Sequence, residues 1–422
     1  MERYNEYKDS GVQWLGEIPS HWGLRRTKYV WKETDSRSEF GSEQLLSVSQ
    51  YDGVREAQSD SRSESLKGYK IVKQDELVIN IMLAWLGGLG VSKHEGIVSP
   101  AYCVYKLQDA QNPRFLHYLY RTPMYLAEFA RHSTGIVPSR WRMYTDDFGE
   151  VLTLLPPIEE QDAMVAYLDT ATAKIDEAIA QQQKMIGLLN ERKQIIINNA
   201  VTKGLNPDAP MKDSGVDWIG EIPEHWEVMK TSHIFHHIGS GTTPKSGRED
   251  YYSEDGIPFL QTGDLNDGFI NETSKHITEK ALRDTNLKLY PKGSLVVAMY
   301  GATIGKLGIL NIDTTVNQAC CVLPTSDRVG NKFAMHVLST AKADLLLKSR
   351  GGGQPNISQD TIRNEKIVVP TLAEQNEIVQ YIEHSCTPID GAISNATNQI
   401  SLLQERKQII INDVVTGKVK VS

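Results

Sequence analysis

Three short stretches hold residues that could do chemistry, and each falls short of the motif it approaches. "GATIGK" (301–306) is one residue short of a phosphate-cradling P-loop and lacks the Ser or Thr that must follow the lysine to hold magnesium, so it reads as a turn between two strands. "NPRF" (112–115) comes nearest to the (D/N)PP(Y/F) tetrapeptide of an adenine methyltransferase but lacks the second proline. Asn112 and Pro113 are better explained as the cap and first residue of a helix through "RFLHYLY". "HIFHH" (233–237) could supply metal ligands, yet no acidic or cysteine partner stands at a useful spacing, and these histidines are expected on a strand. No Ser/His/Asp or paired-carboxylate constellation can be assembled, so no catalytic residue and no metal ligand is assigned. The chain reads as a recogniser.

Recognition of a nucleic acid needs basic, amide, hydroxyl and aromatic side chains on loops that reach a groove. Three pairs of loops qualify. "PSRWRMY" (138–144) carries Arg140, Trp141, Arg142 and Tyr144, and its counterpart "GGGQPNIS" (351–358) carries Gln354 and Asn356. "SVSQYDG" (47–53) brings Gln50 and Tyr51, against Gln261 and Thr262 in "LQTGDLNDG" (260–268). The glycine turns that begin at Met82 and Tyr300 form the third pair, and Lys93, Thr243, Lys245 and Lys306 complete the DNA-binding candidates.

The elements that must carry these loops are written in repeats. "KDSGVQWLGEIPSHW" (8–22) returns as "KDSGVDWIGEIPEHW" (212–226), matching at 12 of 15 positions. "LLNERKQIIINNAVT" (188–202) returns 214 places later as "LLQERKQIIINDVVT" (402–416), and both copies read as helix. Leu168, Ile175, Leu189 and Ile196 in one, and Ile382, Ile389, Leu403 and Ile410 in the other, make heptad-spaced seams of the kind that join two packed helices. Thr371 with Glu374 spells a capping box, and Gly204 and Gly417 stand where helices end. Pro388 predicts a break or kink near 384–388, because proline removes an interior hydrogen bond. A fainter repeat, at an offset of 218, lays "LVINIMLAWLGGLGV" (77–91) over "LVVAMYGATIGKLGI" (295–309), so the two variable blocks share a scaffold.

The order is phrase, block, helix, phrase, block, helix. If the helices are antiparallel, the linker "LNPDAPM" (205–211) need only deliver the second block to the adjacent helix end. A parallel pair would send it back along about 30 residues, roughly 45 Å at 1.5 Å each. The predicted fold is therefore α+β: two globular α/β domains joined by two long antiparallel coiled-coil-like helices, with a pseudo-twofold internal repeat. Domains are expected at 1–152 and 212–369, helical regions at 153–204 and 370–422, and a linker at 205–211. Each phrase should pin a domain to a helix end through its two tryptophans, Trp14 and Trp22 or Trp218 and Trp226. The first phrase should lie beside Thr416.

A length of 422 residues, 40% hydrophobic and 23% charged, suits two or three soluble domains. No secretory leader or membrane span is legible, so the expected location is cytoplasmic. The four cysteines have no metal or disulfide spacing. The net charge of −8 argues against nucleic acid until its distribution is read. Residues 21–150 hold 17 Lys+Arg against 16 Asp+Glu and residues 226–370 hold 16 against 15, so each block can present a basic face.

The phrases "YKDSGVQWLGEIPSHW", "PPIEEQDAMVAYLDTATAKIDEAI" and "GSLVVAMYGATIGKLGIL" resemble those of specificity subunits of type I restriction-modification systems, over nearly the whole chain. The resemblance implies that each block is a target recognition domain reading half of a bipartite double-stranded DNA site, with a non-specific spacer between the halves. It implies that the repeated helices dock two modification (methyltransferase) subunits, with restriction/translocase subunits completing the complex. S-adenosylmethionine, ATP and magnesium would belong to those partners and no cofactor to this chain. Two other classes compete: a protein scaffold that reads no DNA, and a stand-alone methyltransferase or nuclease.

Overall fold

The computed structural model describes residues 2–51, 53–57, 65–137, 140–245, 247–349 and 356–421. They form two compact units, residues 1–183 with 397–422 and residues 184–396.

Unit one opens with β1 (Tyr7–Asp9), β2 (Glu17–Pro19), β3 (Gly23–Arg26) and β4 (Trp31–Thr34). Then come β5 (Leu46–Ser49), β6 (Gly53–Glu56), β7 (Lys70–Val72), β8 (Leu77–Asn80), β9 (Leu89–Val91), β10 (Gly96–Val98) and β11 (Tyr102–Leu107). Helices α1 (Pro113–Tyr120), α2 (Pro123–Arg131) and α3 (Thr145–Glu150) precede β12 (Leu152–Leu155) and the long helix α4 (Ile158–Lys203). The central sheet runs β4-β11-β8-β9. Asn112 caps α1 as its sequence foretells, its side chain accepting from the backbone N–H of Arg114 and Phe115.

Unit two repeats the plan with β13 (Met211–Asp213), β14 (Glu221–Pro223), β15 (Glu227–Lys230), α5 (Thr231–Ile234), β16 (Gly239–Ser240), β17 (Tyr252–Ser253) and β18 (Ile257–Leu260). It continues through β19 (Gly268–Ile270), β20 (Lys275–Ile277), α6 (Glu279–Asp284), β21 (Leu295–Ala298), β22 (Leu307–Leu310), β23 (Thr315–Val316) and β24 (Cys320–Leu323). Helices α7 (Asn331–Thr340), α8 (Lys342–Leu347) and α9 (Gln359–Asn364), strand β25 (Lys366–Val369) and the long helix α10 (Leu372–Val415) close the series. Its main sheet runs β16-β24-β21-β22-β19.

The shared scaffold is exact at the level of register. Ile79 pairs with Cys103 and Leu77 with Val91 in unit one, and 218 places later Val297 pairs with Cys321 and Leu295 with Ile309 in unit two. A one-residue slip would turn every core side chain to the wrong face, so buried residues at these positions hold the register. Leu77, Ile79, Phe115, Leu295, Val297 and Phe333 are all buried.

Segments of α4 and α10 run antiparallel in each unit. Lys407 Nζ donates to Asp176 at 2.7 Å in unit one, and Lys193 Nζ to Asp390 at 2.6 Å in unit two, the same ion pair with the helices exchanged. Such surface pairs add only about 0.2–1 kcal/mol each, so the seam and the helix ends supply the hold. Leu168, Ile175, Ile382 and Ile389 are buried, while Leu189, Ile196, Leu403 and Ile410 are half-buried. Toward the C-terminal end of each helix, burial moves to Ile197, Ala200 and Val201, and to Ile411, Val414 and Val415, where the helix enters a domain core and no longer follows a two-helix seam.

Helix α10 continues through Pro388, so of the predicted break or kink there is no break. Pro388 lies on the exposed face, where water can take the His384 carbonyl that loses its partner. The histidines at 233–237 are not on a strand: His233 lies in α5 and His237 takes a left-handed conformation at φ 63° in the loop before β16.

The helix starts are built alike. In unit one Glu160 accepts from Trp22 Nε1 at 3.1 Å, His21 Nε2 at 2.5 Å and the Tyr4 hydroxyl at 3.0 Å. In unit two Glu374 accepts from Trp226 Nε1 at 3.2 Å and His225 Nε2 at 2.6 Å, and it forms the capping box with Thr371. Burial alone would raise the Glu374 carboxyl, but hydrogen bonds from His225, Thr371 and Trp226 outweigh it and bring the pKa down to about 2. Only the second tryptophan of each phrase serves a helix start. Trp14 packs edge-on against Tyr125 at 5.0 Å, and Trp218 Nε1 donates to Glu365 at 3.0 Å, because the turn between the two tryptophans sends the first toward the domain.

The helix ends meet the same phrases. Gly204 and Gly417 are both left-handed, at φ 73° and 74°. A β-carbon on Gly417 would lie 2.6 Å from the Pro19 ring and 2.9 Å from Trp22, whereas one on Gly204 would lie 3.2 Å from Trp226 and 3.6 Å from Pro223. Alanine at either position incurs the left-handed strain of about 1–2 kcal/mol. At Gly417 an overpacking cost of about 1–3 kcal/mol is added. Gly417→Ala is therefore expected to lower unfolding stability more than Gly204→Ala, and equal losses in denaturant titrations would contradict this account of the junction.

Candidate nucleic-acid interface

Arg121, the residue that ends α1, draws two of the candidate loops of unit one together. Its guanidinium donates to the carbonyls of Gly87 and Leu89 at 2.7 Å each, and to those of Gln50 and Tyr51 at 3.0 and 2.6 Å. Gly87 is left-handed at φ 89°, and a β-carbon there would lie 3.0 Å from the Gln50 carbonyl, so this close approach of two backbones needs glycine. The third loop joins through the backbone N–H of Met143, which donates to the Ile81 carbonyl at 3.0 Å, and through Trp141, whose ring meets Trp85 at 5.2 Å. Arg142 pairs with Thr134 across a short bridge.

Gln50, Tyr51, Met82, Trp141, Arg142 and Tyr144 thus belong to one loop cluster. Tyr51 is 80% exposed and Tyr144 52%, values that leave rings free to stack. Arg140 is exposed on the same loop, while Pro138 and Ser139 lie outside the described residues. Lys93 is not gathered here. It is exposed on the turn after β9, and its charge acts at Asp169 on α4. There burial would raise the carboxyl, but bonds from Tyr118 and Arg114 and the charges of Arg114 and Lys93 take it below its ordinary value. Beneath the cluster His117 Nδ1 accepts from the Val91 N–H at 3.2 Å, and burial, then the charges of Arg121 and Arg114, lower its pKa to about 3. It is a neutral acceptor.

Unit two assembles its loops by the same backbone contact. The Ile357 N–H donates to the Met299 carbonyl at 2.9 Å, the counterpart of Met143 on Ile81, and sets Asn356 in a bridge with Tyr300. Thr243 donates to Gln318, and the neighbouring Asn317 N–H donates to the Leu260 carbonyl at 3.0 Å, beside Gln261. Gln261 caps the turn that Thr262 begins, and Lys306 ends the turn after Tyr300. Lys245 is exposed two residues beyond Thr243, and among the described residues no hydrogen bond or ion pair ties its side chain to the cluster. Gln354 lies outside the described residues.

Arg121, Trp85, Asn317 and Gln318 escape a reading of the sequence. Arg121 follows a helix with no loop signal around it, and Asn317 and Gln318 sit in a short turn between two strands. Among the described residues no group of three His, Cys, Asp or Glu side chains could hold a metal ion, and no helix is long and apolar enough to cross a membrane.

Unit one presents arginine and aromatic rings, and unit two presents amides and hydroxyls, on matched backbones. Residues 223–399 match the type I restriction modification DNA specificity domain. The chain is 28% identical over 284 residues to the type I restriction enzyme MjaVIII specificity subunit of Methanocaldococcus jannaschii, covering 65% of this chain and 63% of that one. It is 26% identical over 441 residues to the putative type I restriction enzyme MjaX specificity subunit of the same organism, covering 96% of both. In fold it resembles a solved chain from work on complex assembly and conformational transition of the type I R-M system. The TM-score is 0.69 at 16% identity, over 95% of this chain and 99% of that one. With both units built on one scaffold and both long helices repeated, the chain is similar over 96% of its length to a putative type I restriction enzyme specificity subunit, and the matched DNA specificity domain falls on residues 223–399.

Proposed function

We propose that this chain is the sequence-specific DNA recognition subunit of a type I restriction-modification complex, reading a bipartite target with one loop cluster per unit. The observation that carries this is the pair of clusters in which one backbone contact, Met143 to Ile81 and Ile357 to Met299, recurs beneath unlike side chains. A shared scaffold with interchangeable readers is what two independent half-sites require. The domains at 1–152 and 212–369 are the target recognition domains, and the helices dock two modification subunits, with restriction/translocase subunits completing the assembly. Methyl transfer and cleavage, with S-adenosylmethionine, ATP and magnesium, belong to those partners.

Arg140 and Arg142 are the first choice for base contact in unit one, and Asn356 with Gln354 in unit two. Arginine can bridge two acceptors on guanine, and Asn or Gln can do the same on adenine, each pair discriminating by about 1–3 kcal/mol. Arg140→Ala and Arg142→Ala, each measured on matched and single-base-changed DNA across a salt series, test the assignment. Discrimination lost at one base identifies readout. A uniform loss, with the salt slope falling by about one, identifies a phosphate contact. No change in either variant removes this loop from the interface, and a complex without sequence preference would make the chain a scaffold.

A further inference from the structure

The two helix junctions are built from the same phrase, yet one is filled and the other is open. In unit one Tyr4, only 8% exposed, fills the junction: its ring meets Trp22 edge-on at 5.6 Å and His21 at 5.7 Å, and its hydroxyl reaches Glu160. Tyr7 closes the other side, donating to the Gly417 carbonyl at 3.0 Å. In unit two the residues 204 places later are Asp208 and Met211, both exposed in the linker and the strand that follows it. A cavity of about 310 Å³ stands over Trp226, His225, Pro223, Ile378 and Glu374, with Lys203, Leu205 and Glu377 also in its lining.

Its size lies at the low end of ligand cavities, which suits one large side chain better than a cofactor. The walls are Trp226, Pro223 and Ile378. The lining carries Glu374 and Glu377 against Lys203, and Asp208 and Glu224 are chain neighbours of lining residues, so the charge around the mouth is acidic on balance. Thr371 Oγ1 already donates to Glu374 at 2.8 Å, supplying the hydroxyl that Tyr4 supplies in unit one, so an incoming ring needs none of its own.

We infer that the junction cavity of unit two receives an aromatic side chain, phenylalanine before tyrosine, flanked by a cationic residue and presented by a partner protein. Resting on the function proposed above, the partner is the modification subunit. Aromatic anchors in closed pockets dominate binding at protein interfaces, and an acidic rim steers a basic partner segment.

The test is assembly of the full-length chain with the modification subunit of the same system. Ala209→Trp fills the cavity from the linker and is expected to weaken assembly at least tenfold. Glu377→Lys reverses the rim charge without touching the core and is expected to slow association and reduce its salt dependence. A photo-crosslinking residue in place of Leu205 should capture a segment of the modification subunit that holds an aromatic residue beside Lys or Arg. Wild-type assembly by both variants, or a crosslink to a segment without an aromatic residue or to a second copy of this chain, overturns the inference and leaves the proposed function standing. Failure of the unaltered chain to assemble strikes the proposed function itself and takes the cavity assignment with it.

Discussion

Replacing Trp226 by alanine is expected to destabilise unit two by about 3–5 kcal/mol, as truncation of a large buried aromatic side chain does. Trp226 is 1% exposed, packs against Gly204 at the end of α4 and donates to Glu374 at the start of α10, so one indole joins two helix termini and the domain that follows. Trp226→Phe keeps most of the packing and loses the N–H donor, and should recover the larger part of the loss. Urea unfolding followed by a probe in unit two makes the comparison. A loss below about 1 kcal/mol for Trp226→Ala would show that the junction does not depend on this residue.

Exchange of residues 226–367 for the corresponding block of a related specificity subunit should change one half of the DNA target and leave the other as it was. The exchanged segment begins at Trp226 and ends in β25, so it carries the whole unit-two cluster and leaves both long helices intact. Each mismatched base pair costs about 1–3 kcal/mol, and a half-site of several pairs places the expected loss on the parental target among the largest for any single alteration. Mapping the methylated adenines in cells that carry the chimaera reads the result. A change in both halves at once would refute independent reading.

The parts of the fold that could be read from sequence are those written twice. The 218-residue offset carries strand register from β8, β9 and β11 to β21, β22 and β24, because buried positions fix register and recur in both copies. The capping box at Thr371 and Glu374 and the glycines at 204 and 417 are local devices whose chemistry is legible in a few residues. Contacts between distant segments left no such trace. Arg121 reaches four carbonyls on two loops, the nearest of them at Leu89, and nothing in "LYRTP" announces it. The two tryptophans of each phrase look equivalent in sequence, and only the turn between them decides that Trp22 meets Glu160 while Trp14 meets Tyr125. Pro388 does not break its helix because proline's effect depends on which face of the helix it occupies.

Unit two is one continuous stretch of chain, whereas unit one is interrupted by the whole of it. Synthesis therefore treats the two unequally. Residues 184–396 emerge in order and can pack as they appear. The first 183 residues must wait for Val414, Val415 and Gly417, which cover Trp22 and Pro19. At about 5–20 residues per second that wait lasts roughly 12–47 s. During it the Trp22 face of the nascent chain stands open to water and to chaperones, so residues translated after the whole of unit two seal the unit begun before it.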